Sequence, residues 1–276
     1  MRRWFLAIAL LTASCGQSAR NVAPGNQSAA AAPLIYDRLA DNPVEHGHRI
    51  ADVLGCTGCH KADLTGEDWG DAEFGILWTS NLSRAVARYD DAQLERAIRG
   101  GLRHDGSELL AMPSYLFTQI GAEDMAALIA FLRSVPPSGV DHPRPALGPA
   151  GRQELAEGKL HYAPADVARE GRIWPPDAGP GHARGRAIVR ATCAECHRLN
   201  LGGAPDIDPP RPPLSVVGAY DRAAFHILMR SGKGMGDREL RLMSEVSRGR
   251  YNRFTDPEID AVFDYLVAVA RKVTAS

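Results

Sequence analysis

One five-residue pattern occurs twice: Cys56-Thr57-Gly58-Cys59-His60 and Cys193-Ala194-Glu195-Cys196-His197. Cysteines three positions apart set both sulfurs on one turn, and the next histidine reaches over whatever the sulfurs hold. C-x-x-C-H suits covalent attachment of a c-type haem, with the sulfurs bonding the porphyrin edge and the histidine ligating iron. Two other chemistries use similar cysteines. Structural zinc wants two C-x-x-C pairs about 15–20 residues apart, whereas 133 residues separate Cys59 from Cys193. A dithiol redox site leaves both histidines unexplained. The fifth cysteine, Cys15, lies far upstream, so nothing remains in the body of the chain for a disulfide or a catalytic thiolate. The expected cofactors are therefore two covalent haem c groups, each with its iron.

Elements must hold those motifs, and the chain builds them twice. His60 to Gly66 matches His197 to Gly203 at an offset of 137, while Tyr89-Asp90 matches Tyr220-Asp221 at 131. The first copy thus carries six extra residues in the loop after its motif. Asp90 and Asp221 are N-caps for middle helices, whose apolar positions Leu94, Ala97 and Ile98 correspond to Phe225, Leu228 and Met229. Gly100-Gly101 and Gly232 close them. Short helical stretches precede the motifs, roughly at 45–56 and 183–193. A terminal helix ends each copy. Met125, Leu128, Ile129 and Leu132 line the first, which Pro136-Pro137 stops; Thr255 to Glu258 start the second, lined by Ile259, Val262, Phe263 and Leu266.

This order (helix, C-x-x-C-H, loop, middle helix, methionine loop, terminal helix) resembles the class I cytochrome c domain, over about 90 residues twice. The resemblance implies an all-α fold of two tandem class I cytochrome c-like domains, at 34–137 and 183–276, joined by a Pro- and Gly-rich connector at 138–182 that is ordered against one of them. It also implies a distal methionine just before each terminal helix. Met112 occupies that place in the first copy, and the 131 offset carries it onto Met243. Met235, in Gly234-Met235-Gly236, is the alternative for the second iron; Met125 and Met229 read as core. The expected ligand sets are His60 with Met112 and His197 with Met243. His46, His48, His104, His142, His161, His182 and His226 read as surface or core residues, and a bis-histidine iron would need one of them. A backbone carbonyl should orient each proximal histidine: Pro213-Leu214 fits the second copy, while Glu73-Phe74-Gly75 stand at the equivalent place in the first. Trp78, Arg84, Arg99 and Arg230 are candidates to meet haem propionates.

The first copy goes further. Trp78-Thr79-Ser80-Asn81-Leu82, Gly101 to Gly106 and Ala111-Met112-Pro113 resemble haem domains in the cytochrome subunits of membrane alcohol, aldehyde or sugar-acid dehydrogenases. Those subunits commonly carry three haem domains; two are present here. The implied partners are redox proteins: a dehydrogenase or quinol oxidiser as donor and a downstream acceptor. The rival expectation is a dihaem peroxidase with one iron open to substrate; a haem-based sensor would need a signalling segment that the sequence lacks.

Met1-Arg2-Arg3 and the apolar run from Trp4 to Leu11 read as an export signal. Thr12-Ala13-Ser14-Cys15 resembles a lipoprotein cleavage box, which would make Cys15 a lipid anchor and place the protein in the periplasm at a membrane. Residues 1–15 are then signal and cleavage box, and 16–33 a disordered tether. Lys and Arg number 32 against 33 Asp and Glu, so the formal charge of −1 gives no reason to expect a nucleic-acid partner.

Overall fold

Caps set the limits of the helix that leads each domain. Asn42 Oδ1 accepts from the Val44 amide at 2.9 Å and Pro43 opens the first turn, so the first leading helix runs Pro43–Leu54. It begins and ends two residues earlier than the sequence pattern suggested. The early stop is Gly55, left-handed at φ 83°, which turns the chain before the single turn Cys56–Cys59. The second leading helix, Ala183–Thr192, has no such glycine and runs through Cys193 into the turn Ala194–His197. The computed structural model describes residues 33–207 and 209–274. The expected export signal, Cys15 anchor and tether lie outside the described residues, Pro33 apart.

The middle helices are Asp91–Gly100 and Arg222–Ser231. Asp90 and Gln93 form a reciprocal capping box, Asp221 accepts from the Ala224 amide, and Gly101 and Gly232 end the helices in left-handed geometry. The terminal helices are Ala122–Ser134 and Asp256–Thr274, and Thr255 and Glu258 cap the second reciprocally.

Leading and terminal helices cross at backbone contact, and a glycine sits at each crossing. A Cβ on Gly47 would stand 1.9 Å from the Ala127 carbonyl oxygen, and one on Gly185 1.9 Å from that of Ala261. Mid-helix glycine costs about 1 kcal/mol relative to alanine, and here it permits the close approach. Met125, Leu128, Ile259, Val262 and Leu266 are each at most 2% exposed. Burying each such side chain stabilises the fold by about 1.5–3 kcal/mol, an upper value.

The repeat extends to backbone conformation. Lys61 and Arg198 (φ 63° and 61°) and Leu64 and Leu201 (both 59°) are left-handed, although none is glycine. Gly66 and Gly203 close the turns by donating to the His60 and His197 carbonyls at 3.0 and 3.2 Å. Beyond them the Leu82 amide bonds Leu64 O, and the Leu214 amide bonds Leu201 O. The six additional residues of the first copy therefore divide: five fall before Leu82, and one falls between Leu82 and Tyr89.

The connector is ordered. Ala146–Leu147 pair antiparallel with Gly75–Ile76 in the first domain's long loop. Asn81 Nδ2 donates to Ser138 O at 2.7 Å and Val140 O at 3.0 Å, and the His142 ring stacks on Trp78 at 3.8 Å. Further on, the connector meets the second domain. Arg190, 1% exposed, donates to the carbonyls of Gly171 and Ile173 in the connector and of Tyr115 and Leu116 in the first domain. A second buried tie joins Arg49 to Glu258 at 2.9 Å. Both cross from one domain to the other.

Candidate haem sites

Among the described residues, each domain carries a cavity with its C-x-x-C-H motif in the wall. The first, about 110 Å³, is lined by Cys56, Cys59 and His60, by Met112-Pro113, and by apolar side chains from all three main helices. The second, about 380 Å³, is lined by Cys193, Cys196, His197 and Met243, with Arg211, Glu239 and Arg241 among its polar residues.

The histidines are held in the same way by different residues. Nδ1 of His60 bonds Ser80 O, and Nδ1 of His197 bonds Pro212 O, both at 2.8 Å. A carbonyl only accepts, so each Nδ1 carries the proton and each Nε2 keeps its lone pair for a metal. Burial lowers the pKa of both imidazoles, against the opposing pull of these carbonyls, and so favours the neutral form that ligation needs. The sequence pointed to Pro213 and to residues 73–75 for these carbonyls. The structure uses Pro212 and Ser80, because the long loop of the first copy folds outward to pair with the connector.

The four cysteines form no disulfide. Burial raises the thiol pKa of all four, that of Cys56 to about 12. A reactive dithiol requires a lowered value, so the raised values speak against redox cycling. Neutral sulfurs, a metal-ready imidazole nitrogen, a thioether and apolar walls are a donor set that fits covalent haem.

Met235 is not in the lining of the second cavity; its carbonyl accepts from Arg238 Nε. Met229 is buried and forms part of that wall, as its counterpart Ile98 does in the first. Met125 lies in the core. Among the described residues, His60 and His197 are the histidines that line the cavities. His46 is buried against Asp124 at 2.8 Å, His48 stacks on Phe131, His104 meets Tyr89, and His161 and His226 face Asp166 and Asp260.

The propionate candidates have other partners. Trp78 stacks on His142, and Arg84 faces Asp141. Arg99 donates to the carbonyls of Phe117, Thr118 and Ile120, and Arg230 to those of Asn252 and Phe254. Arg99 and Arg230 each pin the chain between a methionine and the terminal helix that follows it. Sequence reasoning had the right pair at the wrong task. Gly47 and Gly185 were missed altogether, although two mid-helix glycines at matching places were a visible signal. Backbone strain marks both methionine loops: Ala111, φ 59°, precedes Met112, and Arg241, φ 50°, comes two residues before Met243.

These features define a protein of two fused domains, each built to hold one covalent haem. The cytochrome c family profile matches residues 44–136 and 182–270. The chain belongs to the cytochrome c family, and carries two haem c groups with iron on Cys56/Cys59 and Cys193/Cys196. It is 26% identical over 284 residues to the alcohol dehydrogenase (quinone) cytochrome c subunit of Gluconacetobacter polyoxogenes, covering 87% of this chain and 60% of the relative. To the fructose dehydrogenase cytochrome subunit of Gluconobacter japonicus it is 23% identical over 260 residues, covering 83% and 53%. A diheme cytochrome c-type protein of Cereibacter sphaeroides is 28% identical over 174 residues, covering 56% and 57%. The chain thus spans a little over half the length of these relatives. Electron transfer is the activity these kinships support.

Proposed function

We propose that the chain relays single electrons from a dehydrogenase or quinol-oxidising donor to a downstream acceptor through two His/Met-ligated haems. Haem iron, when bound, supplies the one-electron change; methionine opposite histidine raises its potential and closes it to small ligands. One observation carries the reading. Each cavity has a histidine whose Nδ1 is committed to a carbonyl, and the corresponding methionines Met112 and Met243 stand in the two walls. His60 and Met112 are the ligands in the first domain, and His197 and Met243 in the second. The dehydrogenase subunits among the relatives support a dehydrogenase as donor. The export-like leader and the cysteine at 15 support a lipid-anchored protein in the periplasm. Among the described residues no helix is long and apolar enough to cross a membrane.

The test is carbon monoxide binding to the reduced protein. Neither native haem should bind it, and Met112→Ala and Met243→Ala should each open one haem. Binding at both native haems would overturn the carrier reading and favour a peroxidase-like enzyme.

A further inference from the structure

The two C-x-x-C-H motifs meet at the domain boundary with one guanidinium between them. Arg250 lies just after the helix Leu242–Gly249 that bears Met243. Its Nη1 donates to Glu195 Oε2 at 3.0 Å, and Glu195 stands between Cys193 and Cys196 while also lining the first domain's cavity. On the other side, Nε donates to Val53 O at 3.4 Å, three residues before Cys56. Gly55 makes the room: a Cβ there would fall 2.4 Å from Arg250 Cζ. The guanidinium lies 5.7 Å from the Tyr251 ring centroid, and the Tyr251 hydroxyl donates to the carbonyl of Thr192, the residue before Cys193. The side chain is 14% exposed, and Nη2 is buried without a partner.

We infer that Arg250 is a positioning residue that locks the two haem-bearing turns together and sets one permanent charge against the cysteine-bonded edge of both haems. The inference deepens the carrier reading and rests on it. Arg250 bonds Glu195 inside the second motif and the Val53 carbonyl three residues before the first, so its charge stands against both motifs. In a low-dielectric interior a fixed cation favours the less positive, reduced iron. One side chain then raises both potentials together, and Glu195 offsets part of the effect.

Spectropotentiometric titration of the holoprotein tests this. Arg250→Gln should lower both midpoints, each shifting its equilibrium about five- to tenfold toward the oxidised form, where tenfold is 59 mV for one electron. Arg250→Lys should restore most of the shift. Glu195→Gln should raise both midpoints, whereas simple loosening of the interface would wet the haems and lower them; this variant keeps the test open if Arg250→Gln fails to fold. An unchanged midpoint at either haem in Arg250→Gln, or a fall in Glu195→Gln, overturns the inference. Carbon monoxide binding by the same native samples reports on the carrier reading separately.

Discussion

The two haem domains share a backbone but differ in what surrounds it. From His60 to Gly66 and from His197 to Gly203 they repeat the same left-handed turns and hydrogen bonds. Beyond that stretch they diverge. The first domain supports its histidine from Ser80, reached through a long loop that pairs with the connector, whereas the second uses Pro212 in a short loop. The first has a single turn after its methionine, Ser114–Phe117, whereas the second carries its methionine inside an eight-residue helix, Leu242–Gly249. The features kept in both are those that fix donor atoms: the turn after each histidine, the Nδ1 carbonyl, the arginine behind the methionine loop and the glycine at the helix crossing. Loop length and side-chain identity were free to change wherever another residue could supply the same carbonyl.

The comparison can be broken most forcefully at the crossings. Gly47→Val and Gly185→Val should each cost more than about 3 kcal/mol, since a backbone carbonyl cannot step aside as a side chain does. Urea unfolding should show similar losses for the two, and a mild effect at either would mean that the crossings are not equivalent.

Next come the ties between the domains. Replacing Arg190 by Met leaves four carbonyls short of a donor, and Glu258→Gln leaves Arg49 without its buried counter-charge; each should cost about 3–5 kcal/mol. Both haem domains should lose stability together, because neither tie belongs to one domain. Separate transitions, one at its native midpoint, would show independent folding instead.

A smaller effect sharpens the asymmetry. Asn81→Ala should release the segment at 138–140 and cost about 1–2 kcal/mol. Hydrogen exchange should rise in the connector and the first domain while the second keeps its protection.

The smallest prediction concerns pH. Burial pushes the Asp37 carboxyl up, but bonds from Thr255 and Arg184 outweigh it and hold the pKa below its ordinary 3.8. A depressed carboxylate stabilises the fold above its unfolded pKa and loses that contribution as pH falls through the folded value. Stability should therefore drop slightly below about pH 4 in the native protein, and Asp37→Asn should flatten that slope.

Much of this was legible in the sequence because it is local. The C-x-x-C-H motifs, the Asp90 and Asp221 caps and the apolar stripes each need only a few neighbouring residues. The shared offset that linked Met112 to Met243 is local comparison applied twice. What could not be read depends on a partner far along the chain. Arg99 and Arg230 looked like anion binders because a cationic side chain does not announce that carbonyls some twenty residues later will accept its hydrogen bonds. Gly55 gave no hint of making room for Arg250, 195 positions onward. The carbonyl expected from residues 73–75 of the first copy gave way to that of Ser80 because the extra loop residues moved a different backbone oxygen into place.

The segment at the front of the first domain also bears on the order in which the fold closes. The Asp37 amide and carboxylate bond Glu258 and Thr255, which lie 221 and 218 positions further along the chain. The first domain's outer seam therefore closes only once the second domain's terminal helix has docked against it.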